Sequence, residues 1–246
     1  SYTKNCIKDL LKQNVSFDLT LIDQASQEKG IHELFKWTQS QWNNRGKLNI
    51  IYNKINEPLN QLWNNFAQQS SNEYLCYLNN DVRIPSNFIK DSESVLAKDK
   101  NVSITIHSTN HPVWLSKATH TLHYNVPKNQ KIKQGWDFTI RKCDWKIIPK
   151  IFCIFYGDDY IFYHTLLEKK KIAYILSSPI IHFQGMSQRS YEGGYDVKSP
   201  PRNDNFVDDT KAWASTGWPH NHHSIPEFTR IKPTADIVKK YENKIL

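Results

Sequence analysis

The first 80 residues alternate three times between helix-like and strand-like patterns, and this alternation constrains the fold more than any other feature of the sequence. Three segments with apolar residues at helical spacing are each followed by a short apolar run that is typical of a buried strand. The helical segments are residues 4–13, 31–42 and 59–67, and the strand-like runs are residues 17–23, 48–53 and 74–78. Parallel strands need a crossover of about a dozen residues or more, usually a helix. The sequence therefore predicts an α/β fold with a mostly parallel sheet between helices.

The rest of the chain divides into a continuation of this sheet and an extension of different composition. Helices are predicted at residues 88–97 and from Asp158 onward, and strands at residues 102–107, 136–141, 172–176 and 179–183. From residue 186 onward Gly, Pro, Asn, Asp and Trp are frequent and no period is visible. We expect one α/β domain over residues 1–185 and an irregular C-terminal extension over residues 186–246. The extension is expected to form a lid over one side of the ligand site and to end in a short helix at residues 235–245.

Charge and cysteine content narrow the class of protein. The 32 Lys and Arg residues against 24 Asp and Glu residues give a formal net charge of +8, which suits a phosphorylated ligand, a nucleic acid or an acidic membrane surface. No nucleic-acid-binding motif accompanies the basic residues, so we expect no nucleic acid as partner. The four cysteines lack C-x-x-C spacing and lie mostly in apolar runs, which favours buried thiols and a cytoplasmic location. Peripheral contact with a membrane is left open.

Polar side chains follow the three strand-like runs at the point where each run is predicted to end. Asp23 and Asn53 follow the first two runs, and Asn79, Asn80 and Asp81 follow the third. Open α/β sheets bind ligands beyond the carboxyl ends of their strands. Asp81 is a candidate ligand for a divalent cation, and Asp23 is a candidate acceptor of hydrogen bonds from a nucleobase or ribose. Ordinary turn chemistry for Asp81 and a helix-capping role for Asp23 are the alternatives.

Two adjacent carboxylates begin the helix that is predicted after Gly157. The helix dipole lowers the pKa of both carboxyl groups, and each carboxylate raises the pKa of the other, so one of them can act as a general base near neutral pH. Asp159 is the first choice and Asp158 its rival, with a purely structural helix start as the alternative. His182 offers a neutral imidazole from the last predicted strand, as a metal ligand or as a buried core histidine.

The strand predicted at residues 136–141 contributes two further candidate binding residues. Trp136 offers a flat ring that can stack on a ligand, and Arg141 offers positive charge near a phosphorylated ligand. Core packing of Trp136 and a solvated surface position of Arg141 are the alternatives. The histidines at positions 220, 222 and 223 lie beside a proline in a loop-like segment, where surface positions are favoured over a metal site.

Three segments resemble, in consistent order, motifs of the family 2 glycosyltransferases, which have the GT-A fold. Residues 21–26, LIDQAS, are similar to the family's V-D-N-G-S segment. Residues 49–85 look like its N-x-G-x-x-x-A-x-N stretch leading to the D-x-D element, and residues 155–185 resemble its G-E-D-x-D, helix, strand and His ending. The resemblance covers residues 4–185. It implies a GT-A type, Rossmann-like, mostly parallel sheet, a nucleotide-sugar donor with a UDP-sugar favoured, Mn²⁺ or Mg²⁺, and hexosyl transfer with inversion to a glycan or other hydroxyl acceptor.

Matching residue by residue, the resemblance implies that Asp23 contacts the base, that Asp81 and His182 hold the metal, and that Asp159 deprotonates the acceptor. Asn53 and the two asparagines before Asp81 complete the expected donor side. Trp136 is then expected to stack on an acceptor sugar, and Arg141 and the lid formed by residues 186–246 are expected on the same acceptor side. The sequence also departs from the family pattern: the family's first strand has no counterpart, Asp81 is the sole acid of the D-x-D element, and Ile161 replaces the final acid of G-E-D-x-D. A catalytically inactive, nucleotide- or glycan-binding protein with the same sheet is therefore the alternative function.

Overall fold

The computed structural model describes residues 2–26, 30–43, 45–109, 121–126, 135–150, 152 and 156–183. The helices are α1 (Tyr2–Leu10), α2 (Ile31–Gln41), α3 (Leu59–Gln69), α4 (Phe88–Lys98) and α5 (Gly157–Leu167). The strands are β1 (Leu19–Gln24), β2 (Leu48–Asn53), β3 (Tyr74–Leu78), β4 (Val82–Arg83), β5 (Val102–Thr109), β6 (Tyr124–Asn125), β7 (Asp137–Arg141) and β8 (Lys171–His182). The expected extension at residues 186–246, with its lid, its terminal helix and its histidines, lies outside the described residues.

The predicted α/β class is confirmed, and the alternation of helix and strand holds through β3. Alternate residues of β3 point to opposite faces of the sheet. Leu75 and Tyr77 join the apolar cluster packed with α3 and α5, whereas Cys76 and Leu78 contact the cluster formed with α1 and α4. Helices therefore cover the central sheet on both faces.

The described strands form two sheets. The parallel strands β1 and β2 make one pair, and the other six strands form a sheet in the order β3-β7-β5-β8-β4, with β6 beside β8. Only β5 and β8 are parallel in the larger sheet, and its other neighbouring pairs are antiparallel. The sheet is thus mixed where the sequence predicted mostly parallel strands. The difference arises because β7 enters between β3 and β5 and runs antiparallel to both, a direction that helical crossovers earlier in the chain do not determine.

The described backbone ladders contain no hydrogen bond between β1 and β3. Side chains join the two sheets instead. Asn72 Nδ2, just before β3, donates to Asp18 Oδ2, just before β1, at 3.1 Å. Leu19 of β1 packs in the apolar cluster that includes Cys76 and Leu78 of β3. Among the contacts of the described residues, the hydrogen bond between Asn72 and Asp18 and the apolar packing of Leu19 attach the β1–β2 pair to the main sheet.

A single strand, β8, replaces the two strands predicted at residues 172–176 and 179–183. It runs for 12 residues and contains Pro179, which cannot donate to a ladder. The register between β5 and β8 shifts between His107 and Thr109, opposite this part of β8. This irregularity accommodates the proline, so β8 continues to His182.

The thiols are less uniformly buried than expected. Cys6 is buried and Cys76 half-buried, and burial raises the pKa of each thiol to about 12. Cys143 is exposed, because it lies in the 3-10 turn Lys142–Asp144, where the alternation of β7 has ended. Cys153 lies outside the described residues. In the described part of the chain, every helix is too short or too polar to cross a bilayer.

Two buried asparagines of α3 hold the segment that leads into α5. Asn64 makes two hydrogen bonds to the backbone of Ile148, its Nδ2 donating to the carbonyl and its Oδ1 accepting from the N–H, both at 2.9 Å. Asn60 Nδ2 donates to the carbonyl of Phe152 at 3.1 Å. A Cβ atom added at Gly157 would lie only 2.1 Å from Asn60 Oδ1, so this position requires glycine.

We predict that Gly157→Ala destabilises the fold by about 1–3 kcal/mol, because the new methyl group forces Asn60 away from the start of α5. Urea unfolding of Gly157→Ala, of Asn60→Ala and of the double variant Gly157→Ala/Asn60→Ala measures the energetic coupling between the two positions. The alanine at position 157 should cost less when Asn60 is already truncated. An equal cost in both backgrounds would show that the close approach to Asn60 is not the reason for the glycine.

Candidate functional site

Three ends of strands meet at one edge of the larger sheet. Leu78, the last residue of β3, pairs with Asp137, the first residue of β7. His182, the last residue of β8, pairs with Val82 of β4. The chain between β3 and β4, which contains Asp81, therefore lies beside both the start of β7 and the end of β8.

The two metal ligands predicted from the sequence are adjacent. His182 Nε2 lies 3.4 Å from Asp81 Oδ1, and each side chain is 9% exposed. The backbone N–H of Phe183 donates to the carbonyl of Asp81 at 3.0 Å, which ties the two segments together. The structure therefore brings Asp81 and His182 into one site, as the order of the motifs implied.

The pair could supply one oxygen ligand and one nitrogen ligand to a first-row divalent cation such as Mn²⁺. Neighbouring ligands of an octahedral ion with bonds of about 2.1 Å are about 3 Å apart, so a small movement lets Asp81 and His182 share one ion. Over the described ranges, no cluster of three or more His, Cys, Asp or Glu side chains is placed to hold a metal. A cation held by one carboxylate usually takes its other ligands from phosphates and water. The donor set thus suits Mn²⁺ or Mg²⁺ on a diphosphate.

Helix α1 supports the chain that contains Asp81. Asn80 Nδ2 donates to Thr3 Oγ1 at 2.9 Å, and the thiol of Cys6 contacts the carbonyl of Asn79 at 3.7 Å. The amide of Asn80, an expected donor-binding group, is thus engaged by α1. The ring of Tyr2 packs against Phe183 at 4.8 Å, so α1 also contacts the residue after His182.

An ion pair between the half-buried Arg83 and the buried Asp9 fixes α1 against β4. Arg83 Nη2 donates to Asp9 Oδ1 at 3.0 Å, and Asp9 Oδ2 also accepts the backbone N–H of Ile84 at 3.3 Å. The hydrogen bond to Asp9 raises the pKa of the Arg83 guanidinium above its usual value. Because each partner is hydrogen-bonded, this pair can offset the cost of removing its charges from water.

The two carboxylates at the start of α5 differ in environment. Asp159 is 8% exposed, whereas Asp158 is half-buried. A Cβ atom added at Gly135 would lie 2.8 Å from Asp158 Oδ2, so Asp158 lies directly against the residue before Trp136. Burial raises the pKa of Asp158 to about 6. Exposure and position therefore make Asp158, the rival of Asp159 in the sequence analysis, the better placed of the two to exchange a proton, and the role of each carboxylate stays a prediction.

Asp23 and Asn53 lie at the ends of β1 and β2. Asp23 is buried, and its Oδ1 accepts the N–H of Ser26 at 3.2 Å within a turn. The helix-capping alternative is wrong, because Gly30 precedes the first residue of α2 and no side chain of the described residues caps that helix. Its Oδ2 lies 3.8 Å from Nε2 of the exposed His32. Asn53 Nδ2 donates to Gln24 Oε1 at 2.9 Å. These contacts connect β1, β2 and α2 and leave the donor-binding role of both residues a prediction.

Arg141 does not fit the expected acceptor role. It ends β7, so it lies about 13 Å along the strand from Asp137 and at the opposite end from the site. Its guanidinium is buried and donates to the carbonyl of Val102 at 3.0 Å and to that of Leu96. Arg141 therefore joins β7 to the end of α4 and the start of β5.

Trp136 lies in the site, but its ring packs on a protein side chain where the sequence predicted stacking on an acceptor sugar. Its ring stacks on the imidazole of His182, with ring centroids 4.5 Å apart and an interplanar angle of 20°. One face of the indole is therefore covered by a candidate metal ligand and is not open to an acceptor sugar.

A buried polar group behind the site was missed from the sequence. His107 Nδ1 lies 3.2 Å from Asp137 Oδ2, and Ser92 Oγ lies 3.5 Å from His107 Nε2. All three residues are at most 1% exposed, so this serine, histidine and aspartate do not meet a substrate. His107, in the buried part of β5, was the one sign in the sequence of this polar group. Its partner Asp137 lies 30 residues away and gave no such sign.

The comparisons with known proteins find similarity at the level of structure. No protein-family model matches the sequence, and no curated protein matches it by sequence. The mannosyltransferase PcManGT from Pyrobaculum calidifontis, in complex with GDP-Man and Mn²⁺, is similar with a TM-score of 0.61 and 12% identity, over 100% of this chain and 66% of that one. S. aureus TarS 1–349 in complex with UDP-GlcNAc gives a TM-score of 0.53 and 12% identity, over 75% and 56% of the chains. GalNAc-T7 with UDP, GalNAc and Mn²⁺ gives 0.52 and 15%, over 71% and 38%.

At these identities the similarity shows the fold, which is that of GT-A type glycosyltransferases, as the sequence motifs implied. The chain spans between 38% and 66% of the lengths of these three proteins. Its activity, donor and acceptor are therefore matters for proposal.

We predict that Asp158→Asn stabilises the protein at pH 7 by about 1–3 kcal/mol. Because the pKa of Asp158 is raised in the folded state, its contribution to stability is complete below about pH 4 and is lost as the pH rises through about 6. The gain in Tm of the variant over the parent should appear between pH 4 and 7. Asp99→Asn is the control of opposite sign, since Lys171 lowers the pKa of Asp99 and its loss should lower Tm at pH 7. If the Tm difference between Asp158→Asn and the parent does not change with pH, the raised pKa of Asp158 is contradicted.

Proposed function

We propose that this protein transfers a sugar from a nucleotide-diphosphate donor to a hydroxyl acceptor, with inversion. The observation that carries the proposal is the adjacency of Asp81 and His182, 3.4 Å apart at the edge of a GT-A type sheet. The carboxylate of Asp158 adjoins the same edge through Gly135, the neighbour of Trp136. One carboxylate and one imidazole for a cation, and a second carboxylate for a proton, are the groups that such a transfer requires.

Asp81 and His182 would hold a divalent cation against the diphosphate of the donor. Bound there, Mn²⁺ or Mg²⁺ neutralises the negative charge that grows on the diphosphate as it leaves. The chain's own contribution is to present one Asp81 oxygen and the Nε2 atom of His182 to the same point, from two segments joined by the Phe183 to Asp81 hydrogen bond. Both side chains are largely shielded from water, which strengthens their interaction with a cation.

Asp158 is the general base in this proposal, with Asp159 as the alternative. The acceptor hydroxyl passes its proton to the carboxylate of Asp158 while its oxygen bonds to the anomeric carbon. The bond between that carbon and the diphosphate oxygen breaks in the same displacement, which inverts the configuration. A base with a pKa of about 6 is ionised at neutral pH and still binds a proton effectively.

The donor is proposed to be a UDP-sugar, with a GDP-sugar next. The similar structures include TarS with UDP-GlcNAc, GalNAc-T7 with UDP and PcManGT with GDP-Man. Asp23 and Asn53 are proposed to face the nucleoside, and a hexose is proposed as the transferred group. Membership of family 2, a glycan acceptor and a cytoplasmic location remain predictions from the sequence.

A non-catalytic binding protein is the second candidate. The observation in its favour is that Asp81 is the only acid in its element and that Ile161 stands where the family pattern has an acid. Such a protein would bind the nucleotide and the cation without transferring or hydrolysing the sugar.

We predict that UDP with Mn²⁺ raises Tm, because a ligand that binds only the folded state stabilises it by about 2.7 kcal/mol at 100 times its Kd. EDTA should remove the shift, and Asp81→Asn and His182→Gln should each weaken it. Thermal shift against UDP, GDP and the corresponding sugars measures the preference. Asp99→Asn changes a half-buried carboxylate remote from the site, so it is the matched control and should respond to ligand as the parent does. A parent protein indifferent to every nucleotide with Mn²⁺ would rule out the proposal.

We also predict that Asp158→Asn lowers sugar transfer by about 10²–10⁴-fold while the shift with UDP and Mn²⁺ is retained, because the lost carboxylate takes a proton and does not hold the donor. In the parent, transfer should rise with pH through about 6, the pKa of Asp158. Both are measured as release of UDP with an acceptor present. Full activity of Asp158→Asn beside an inactive Asp159→Asn would assign the base to Asp159. No turnover in the parent, with nucleotide binding intact, would favour the binding protein.

A further inference from the structure

We propose that Trp136 is a positioning residue for the cation site: its ring orients the imidazole of His182 and its backbone holds the chain that contains Asp81. The inference rests on the proposed function, because it assigns a role in the same site. The inference goes beyond the proposed function because it explains how the two candidate ligands keep their relative placement.

The first support is the environment of the His182 ring. A histidine that binds a metal through one nitrogen usually donates a hydrogen bond from the other, and that bond fixes the orientation of the ring. His182 Nε2 faces Asp81, but its Nδ1 is buried and has no hydrogen-bond partner among the described residues. The nearly parallel stack on Trp136, at 4.5 Å and 20°, is the contact that can set the plane of the ring instead. Packing against Trp136 thus orients the His182 ring in place of a hydrogen bond.

The second support is the backbone of Trp136. Its carbonyl accepts the N–H of Asn79 at 2.9 Å, just beyond the pair formed by Leu78 and Asp137. Asn79 is two residues before Asp81, so this bond fixes the start of the segment that contains the carboxylate. One residue therefore contacts both ligand-bearing segments, through its ring on one side and its carbonyl on the other.

The third support is that Trp136 is itself held in place. Asp137, the next residue, is completely buried, and its Oδ2 accepts the backbone N–H of His107 at 3.0 Å. The same oxygen lies 3.2 Å from His107 Nδ1. The start of β7 is thereby tied to β5, and the indole is attached to an anchored point of the backbone.

The indole of Trp136 offers the site two features, an N–H donor and a flat aromatic surface. Trp136 Nε1 is buried and has no hydrogen-bond partner in the described part of the chain, whereas the flat face of the ring contacts His182. The flat aromatic surface is therefore the feature whose contact with a candidate ligand the structure shows. Phenylalanine keeps a flat surface and removes the unpaired donor, whereas leucine removes the stack.

The test compares Trp136→Phe and Trp136→Leu with the parent in two measurements. Without metal, the ring protons of His182 in the parent should be shifted upfield by the ring current of Trp136, with His182→Gln identifying the signals. Trp136→Phe should retain much of this shift, and Trp136→Leu should lose it. With UDP present, Trp136→Leu should weaken Mn²⁺ binding by about 10–100-fold, the usual effect of removing a residue that orients a ligand, and Trp136→Phe by less than about threefold. Electron paramagnetic resonance of free Mn²⁺ measures the affinity.

Trp42→Leu is the matched control. Trp42 is a buried tryptophan whose ring packs edge-on against Phe17 and whose Nε1 donates to the carbonyl of Gly46, away from Asp81 and His182. Its loss should lower stability without changing the His182 signals or Mn²⁺ affinity. Should Trp136→Leu fail to fold, Trp136→Met places an unbranched side chain of similar volume there, which adapts to irregular gaps, has no ring and has the same expected outcome.

The outcomes separate the inference from the function on which it rests. A parent that binds no Mn²⁺ with any nucleotide overturns both. A parent that binds Mn²⁺ through Asp81 and His182, while Trp136→Leu binds it equally well, overturns the positioning role alone. His182 signals without an upfield shift in the parent also overturn it, whatever the metal affinity. Loss of affinity in Trp136→Leu with recovery in Trp136→Phe supports it.

Discussion

The buried carboxylate of Asp137 holds β7 in the middle of the larger sheet, and the arrangement of the candidate site depends on it. Removing a carboxylate from water costs several kcal/mol unless donors surround it. Here the backbone N–H and the ring of His107 supply hydrogen-bonding atoms at 3.0 and 3.2 Å. Burial raises the pKa of the neighbouring Cys76 and Tyr174, and the charge of Asp137 adds to that effect. Because these contacts fix the first residue of β7, they fix the two residues before it, Gly135 and Trp136, which adjoin the candidate base and the candidate metal ligand.

The class of fold could be predicted from the sequence because each period is a local property. Helical spacing before β1, β2 and β3 identifies segments that bury one face, and the apolar runs identify strands. The neighbour of a strand and its direction are set by distant contacts that leave no mark on its own residues. Strand β7 illustrates this limit. In a parallel sheet its carboxyl end would lie at the site, and Arg141 would have been well placed there. Since β7 is antiparallel to β3, its amino end lies at the site, and Trp136 takes that place.

The choice between the carboxylates of α5 shows a second limit of sequence interpretation. Motif spacing identifies the turn of helix on which Asp158 and Asp159 lie, but neighbouring positions on a helix face different directions. Which carboxylate keeps contact with solvent depends on what packs beside it, and here that neighbour is Gly135, 23 positions earlier in the sequence. The pairing of Asp81 with His182, by contrast, followed from the resemblance, because both residues belong to segments whose order in the chain was matched to known motifs.

The separation of the β1–β2 pair from the six-stranded sheet has a consequence for how the molecule unfolds in part. Backbone ladders make strands open together, and two strands alone are marginally stable in water. A unit attached by the contact between Asn72 and Asp18 and by the packing of Leu19 can exchange its amide protons through a local opening that leaves the larger ladder intact. Asp23 and Asn53 belong to that unit. Nucleoside recognition and the chemistry at the diphosphate would then reside in cooperative units of different stability, and a bound nucleotide would join them.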